Sequence, residues 1–287
     1  MSGSILILAG RRPGAVDPLA EAHGVADKCL VPVAGRPMIA HVLESAAGSS
    51  AARIFVSTHH AALLDDLKND PVIASLGPRL VIVPAADNLA DSVLSVAGVA
   101  SFPLLVTTAD NCLLTPATIA EIEAEADRLG AEAGVTLARR EDVLAVHPEG
   151  QRRFYEFSDV AVSNCNAYWI GHPNALRAAE AFRGGGQFVK KPLRVMQAFG
   201  LVNLLRFRFG LGPIHHIFAR ISRRLKVEVA PLLIGDGATA IDVDNDRSLA
   251  VTEALMRRPD IVNPRPSCRE TPGEPGAAGE RQLVVTR

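Results

Sequence analysis

The sequence predicts an α/β fold, a mostly parallel sheet with helices on both faces. Two observations carry the prediction. Short apolar runs rich in Ile, Val and Leu recur through the first half, and stretches with apolar residues at helical spacing lie between them. Strand–helix alternation of this kind makes neighbouring strands parallel and leaves both sheet faces to be covered. The composition supports a large core: 48% of the 287 residues are hydrophobic and 21% charged.

In order, residues 4–9 (SILILA) read as a buried strand and residues 36–46 as a helix, with Ile39, Val42, Leu43 and Ala46 in phase. Residues 53–58 and 80–83 are the next strands, 91–100 a helix, and 104–108 a strand ending near Asp110. Thr115 fits a helix N-cap and Pro116 the first helical position; Ile119, Ile122 and Leu129 continue the phase. Residues 133–138 form another strand. The second half is less regular: 166–170, 226–234 and 240–244 read as strands, and 247–257 as a closing helix that Asp246 would cap. Residues 260–287, rich in Pro, Gly, Glu and Arg, read as a disordered tail after a domain spanning 1–259. In such sheets ligands bind beyond the carboxyl ends of the strands. Residues 10–14, Asp110 and residues 242–244 stand at such ends.

The four cysteines form no CxxC pair and read as reduced thiols. The first apolar run is too short for a leader, and no stretch approaches the ~20 apolar residues that span a bilayer. A cytoplasmic enzyme is expected, with an optional peripheral position at the inner membrane face. Charge is uneven within a net of −1. Residues 181–227 hold ten Lys or Arg and no Asp or Glu, leaving 20 basic and 31 acidic residues, a net −11, elsewhere. Such a split suggests that this segment meets an anionic partner.

The first strand opens into AGRRPG, and a second block, DKCLVPVAGRP, follows. A glycine after a first strand lets backbone N–H groups approach phosphates, and basic side chains neutralise them. Neither GxGxxG nor GK[ST] is present, which excludes the dinucleotide fingerprint and the P-loop. The pattern resembles the nucleotidyltransferases similar to molybdenum cofactor guanylyltransferase and the sugar-phosphate pyrophosphorylases. Those open with a strand, a Leu-Ala-Gly-Gly loop with a downstream Arg, a Lys before an apolar-Pro-apolar stretch, and Gly-Lys-Pro. Here Leu8-Ala9-Gly10 opens the loop, Lys28 precedes CLVPV, and Gly35-Arg36-Pro37 follows. Two departures stand out: Arg11 replaces the second glycine, and Asp27, not Pro, precedes Lys28.

The resemblance implies a three-layer α/β/α, Rossmann-like nucleotidyltransferase fold with a helical basic insertion at 184–226. The reaction it implies carries a nucleoside monophosphate from an NTP to a phosphorylated acceptor, with release of pyrophosphate and dependence on Mg²⁺. Gly10, Arg11 and Arg12 would cradle the triphosphate, and Lys28, with Arg12, would stabilise charge in the transition state. Asp110, in VTTADNCLLTP, matches the family's metal-binding Asp. IDVDNDRSLA resembles the family's Asp-Ile-Asp-Thr-Pro-Glu-Asp-Leu-Ala segment, which assigns Asp244 to the second metal position, with Asp242 beside it. Two carboxylates that converge repel each other, so their pairing implies a cation.

The loop 85–91, with Ala85 and Asp87, and Ser92 on the following helix match the family's base-reading loop; Ser92 fits a plain helical residue equally well. Asn164 and Asn166 match an acceptor-binding Asn before a strand, or are turn asparagines. Lys190 and Lys191 are candidates for the acceptor phosphate. Residues 187–226 interleave apolar residues with Lys and Arg. Ile214, Ile217, Phe218, Ile221 and Leu225 form one helical stripe, which reads first as a core-facing surface and second as a contact with anionic membrane or a lipid-linked acceptor. Nucleic acid is not expected as a partner. Two other functions fit the architecture. A nucleotide-sugar glycosyltransferase would ordinarily hold its metal with Asp-x-Asp, whereas Asn111 and Cys112 follow Asp110 here. A non-catalytic nucleotide-binding regulator would follow if Arg11 blocked the triphosphate.

Overall fold

The computed structural model describes residues 3–11, 17–60, 62–67, 69–181 and 212–258. Gly14, Arg12, Lys190, Lys191, most of the basic segment and the stretch 260–287 lie outside these residues. The chain runs β1 (Ser4–Leu8), α1 (Pro18–Ala22), β2 (Pro32–Val33), β3 (Arg36–Pro37), α2 (Met38–Ala47), β4 (Arg53–Thr58), α3 (Leu63–Leu67), α4 (Pro71–Leu76) and β5 (Leu80–Pro84). Then follow α5 (Leu89–Ala97), β6 (Leu104–Thr108), α6 (Pro116–Leu129), β7 (Ala133–Arg139), α7 (Arg140–Val146), β8 (Tyr155–Glu156) and β9 (Ala161–Ile170). The remaining elements are α8 (Leu176–Ala181), α9 (Ile214–Leu225), β10 (Val229–Ile234) and α10 (Asp246–Met256).

The sheet has the order β10-β7-β9-β6-β1-β4-β5, with β8 added to β9, and β2-β3 form a separate two-stranded ladder. β1 pairs in parallel with β4 and β6, β4 with β5, and β10 with β7. β9 alone of the long strands runs antiparallel, between β6 and β7.

β1 shows why three layers form. It is buried along its whole length, as a central parallel strand with both faces covered must be. Ile5 and Ile7 pack with α2 (Ile39, Val42, Leu43) and α6 (Ile119, Ile122). Leu6 and Leu8 pack on the opposite face with Val93 and Val96 of α5. Alternate residues of one strand therefore anchor helices on the two faces. α6 has the expected start, with the Thr115 side chain accepting from Thr118 N and Pro116 first in the helix. It stops at Gly130, whose φ of 60° is the left-handed cap that glycine adopts without strain.

α9 turns Ile214, Ile217 and Phe218 onto Leu137, Phe157 and Val162. The apolar stripe of this part of the basic segment therefore faces the sheet. No described helix is long and apolar enough to cross a membrane.

Three sequence expectations are corrected. Residues 241–244 form no strand. The segment is extended and bonds to the sheet end through Val243 N to Asp110 O (3.1 Å), which is a tether and not a ladder. Asp246 is the first residue of α10 and not its cap. The cap is Asn245, which accepts from Ser248 N while the Ser248 hydroxyl accepts from Asn245 N, a reciprocal capping box. Asn164 and Asn166 lie inside β9, which begins at Ala161, and not before a strand.

Candidate active site

β1 and β6 are parallel and in register, Leu8 opposite Thr108, so the residues that follow them emerge side by side. Ala9 N bonds Ser57 O and Ala109 N bonds Leu8 O, which extends the ladder one step and then releases the chain. Gly10 leaves β1 where a side chain has no room: a Cβ there would lie 2.9 Å from Ala85 Cβ and 3.3 Å from the His59 ring. The first-strand loop thus packs directly on the loop after β5. Leu8 and Ala9 are buried and contribute backbone, not side chains. Arg11 N donates to His59 Nδ1 (3.2 Å), and its exposed guanidinium lies 3.9 Å from the buried carboxylate of Asp27, which also faces His60 at 3.5 Å. The two departures from the family pattern, Arg11 and Asp27, therefore face each other.

Beyond β6, three carboxylates converge. One oxygen from each of Asp110, Asp242 and Asp244 falls within 4.8 Å of the others. Lys28, first residue of a short 3₁₀ turn, reaches in from the DKCLVPVAGRP block. Its Nζ donates to Asp110 Oδ2 and to Asp244 Oδ1, both at 2.6 Å. Burial works against the charge on Lys28, but the two carboxylates outweigh it and hold its pKa above the usual lysine value. Asp110 is fixed from the other side by the Thr108 hydroxyl, which donates to Oδ1. Asp244 is placed by its own N–H, bonded to Ser248 Oγ of the α10 cap at 2.8 Å.

Asp242 is held differently. Gln151 Nε2 donates to Oδ1 and Asn166 Nδ2 to Oδ2, each at 3.2 Å. Its pKa is raised to about 7, first by burial and then by the like charges of Asp244 and Asp110.

The remaining sequence candidates are distributed around this cluster. Ser92 is buried, and its Oγ accepts from Ala86 N (3.0 Å), tying the 85–88 loop to the start of α5. Asp87 is exposed on that loop. Asn164 Nδ2 donates to Asn166 Oδ1 and to Tyr168 Oη, both at 2.9 Å. The structure thus brings Lys28, Asp110 and Asp244 into direct contact, puts Asn166 one hydrogen bond away, and leaves the Gly10 and Ala85 loops adjacent to each other.

Gln151, Tyr168, Thr108 and His59 were not singled out in the sequence. Gln151 lies in the turn after α7, where no periodicity exists to mark it. Thr108 had a signal, a hydroxyl two residues before a strand-end Asp.

The site can be set against known proteins. A search of curated proteins gives no match. Among solved structures, a hypothetical transferase from Thermus thermophilus is 22% identical over 87% of this chain and 100% of its own, with a TM-score of 0.70. A CMP:2-keto-3-deoxy-manno-octonic acid synthetase, solved in complex with CTP, is 13% identical over 89% of this chain and 98% of its own, with a TM-score of 0.53. A 4-diphosphocytidyl-2C-methyl-D-erythritol synthase from Anaerococcus prevotii is 10% identical over 89% and 98%, with a TM-score of 0.54. At these identities the likeness is one of fold, and it is the fold that the sequence predicted. The model of one family, described as the MobA-like NTP transferase domain, matches residues 6–200. That match covers more than half of the chain and includes the strand, loop and lysine block that begin the site, so the chain belongs to the MobA-like NTP transferase family and is a nucleotidyltransferase.

Proposed function

We propose that the protein transfers a nucleoside monophosphate from an NTP to a phosphorylated acceptor, with Mg²⁺ bound, and releases pyrophosphate. The observation that carries this reading is the Lys28 ammonium seated between Asp110 and Asp244, beside the Gly10 loop at the carboxyl end of the sheet.

The donor set fits a divalent ion. Hard cations take carboxylate oxygens, and magnesium is commonly held by one or two carboxylates plus substrate phosphates. The ammonium of Lys28 already stands, as a cation, where Asp110 and Asp244 converge. In this reading Asp110 and Asp244 hold the ion. When bound it supplies positive charge to the α-phosphate and the leaving pyrophosphate.

The chain's own groups do the rest. Gly10 and Arg11 present the first-strand loop to the triphosphate, with Arg12 beyond the described residues assigned the same task. Lys28, drawn off its carboxylates, reaches the phosphates on its flexible stem and stabilises the charge that develops there. Ala85, Asp87 and Ser92 shape the loop that receives the base. Ser92 acts by fixing that loop through Ala86 N. The acceptor lies beside Asn164 and Asn166, with Lys190 and Lys191 on its phosphate. Its attack in line on the α-phosphate needs no covalent enzyme intermediate, so positioning and electrostatics are the catalytic contributions. The catalytic unit in this reading is residues 1–259, and deleting 262–287 is expected to leave turnover unchanged.

The test is a product assay. Purified protein with Mg²⁺ is offered each NTP and a panel of sugar, polyol and lipid phosphates. Pyrophosphate formed in step with one NTP–acceptor pair is the expected result, and CTP, the nucleotide held by one structural neighbour, is the first to try. Free nucleoside diphosphate released from sugar nucleotides, with no pyrophosphate from any NTP, would contradict the reading.

A further inference from the structure

We propose that Gln151 and Asn166 are positioning residues that clamp Asp242 into the acidic cluster as its third carboxylate. The inference rests on reading that cluster as a divalent-cation site.

Gln151 cannot wander. Its Nε2 also donates to Ala240 O (2.9 Å), so the amide is anchored to the backbone just ahead of the carboxylate it serves. The turn that carries it is pressed against the same segment. A Cβ on Gly150 would lie 2.8 Å from Ile241 Cδ1 and 3.0 Å from His147 O, so the turn packs closely on that segment.

Asn166 comes from the opposite side. It sits in a bulge of β9, where residues 165–167 stand opposite Thr136 of β7 alone, between the pairs Val135–Tyr168 and Leu137–Asn164. Its φ is 48°, a left-handed conformation that asparagine tolerates better than most residues. Asn164 steadies it by donating to its Oδ1, and Asn166 N donates back to Asn164 Oδ1 (3.3 Å). Tyr168, Asn164, Asn166, Asp242 and Gln151 thus form one hydrogen-bonded chain that ends in the cluster.

The chemistry of the clamp separates Asp242 from its neighbours. Asp110 and Asp244 share the Lys28 ammonium, whereas Asp242 accepts from two neutral amides and also hydrogen-bonds Asp244. Amides orient a carboxylate without cancelling its charge. Each Asp242 oxygen accepts one amide and keeps lone-pair capacity toward Asp110 and Asp244. A carboxylate aimed in this way is a prepared ligand, and partners that orient metal ligands typically carry 10–100-fold in affinity. The clamp also engages both amide hydrogens of Asn164, on Asn166 and Tyr168, so the chain links the acceptor side of the site to the metal side.

The test titrates the full-length protein with Mn²⁺ alone by calorimetry. Gln151→Met keeps the side chain's length and removes its amide. It is expected to bind Mn²⁺ about 10–100-fold more weakly than wild type, with an unchanged melting temperature in EDTA. Asn166→Ala, an independent variant on the other side of the clamp, is expected to weaken Mn²⁺ similarly. Wild-type affinity in both folded variants would overturn the clamp while leaving the metal site standing. A wild-type protein that binds no Mn²⁺ would instead remove the metal site, and the clamp with it.

Discussion

Lys28 Nζ lies 2.6 Å from Asp110 Oδ2, across 82 positions of sequence, and the same ammonium lies 2.6 Å from Asp244 Oδ1. One lysine therefore holds the two carboxylates that a divalent ion would need. In the proposed site the ammonium and the ion would compete for the same oxygens, and a lysine displaced by the ion would be free for the phosphates.

Replacing the lysine separates these roles. Lys28→Met is expected to bind Mn²⁺ at least about tenfold more tightly than wild type without nucleotide, because a cation in contact with both carboxylates has been removed. Its turnover is expected to fall by roughly 10²–10³-fold, the effect of losing one preorganised charge at the transition state. Calorimetry and steady-state kinetics check the two halves. Unchanged Mn²⁺ affinity would show that Lys28 and the ion do not compete.

Asp110→Ala removes the carboxylate that Lys28 and Thr108 both hydrogen-bond and on which the proposed metal site depends. Turnover is expected to drop at least about 10²–10³-fold. The fold should survive, since the tether from Val243 uses the Asp110 backbone carbonyl and not its side chain. Circular dichroism and kinetics on the same sample decide it, and near-normal activity would take Asp110 out of the mechanism.

The raised pKa of Asp242 gives a pH dependence. Its folded value of about 7 lies above the ordinary value of 3.8, so between these limits the folded protein binds the extra proton. Stability in EDTA is therefore expected to fall as pH rises from about 4 to about 7 and to level off above that. Asp242→Asn should remove this component, and Mg²⁺ should restore stability chiefly above pH 7, where the carboxylate is charged. Melting curves across pH test the sign. An EDTA profile that is the same for wild type and Asp242→Asn would contradict it.

Gly10→Ala places a methyl group 2.9 Å from Ala85 Cβ. Both neighbours belong to loops set by the sheet, so the strain is expected to cost about 1–3 kcal/mol and to weaken NTP binding by moving the two loops apart. A thermal melt with and without NTP measures both effects, and an unchanged melt would mean that the loops yield freely.

Much of this architecture could be read from the sequence, for physical reasons that also explain the misses. β1, β4, β6 and α6 were legible because their periods are set by burial: a strand covered on both faces reads as a continuous apolar run, and Thr115-Pro116 is a start signal of local chemistry. The alternation in residues 240–244 was real but misassigned. Ile241 and Val243 are fully buried while Asp242 and Asp244 face the site, which gives a period of two without a ladder. Asn245 and Asp246 are both good capping residues, and only the return bond from Ser248 decides between them. Resemblance singled out Lys28, Asp110 and Asp244 as candidates, but their contact could not be read from the sequence, because it is made by the fold across long separations. Gln151 had no signal, since an amide in a turn gains meaning only from the carboxylate packed against it.

The most direct test of the central claim is thermal stability of the wild type and Asp110→Ala with each of the four NTPs, with and without Mg²⁺. The wild type is expected to shift with one NTP, dependent on Mg²⁺ and equivalent to roughly 2.7 kcal/mol at 100 times the dissociation constant, and Asp110→Ala to lose that shift. A shift of equal size in both proteins, or one indifferent to Mg²⁺, would contradict the claim that Lys28, Asp110 and Asp244 form a metal-assisted nucleotide site.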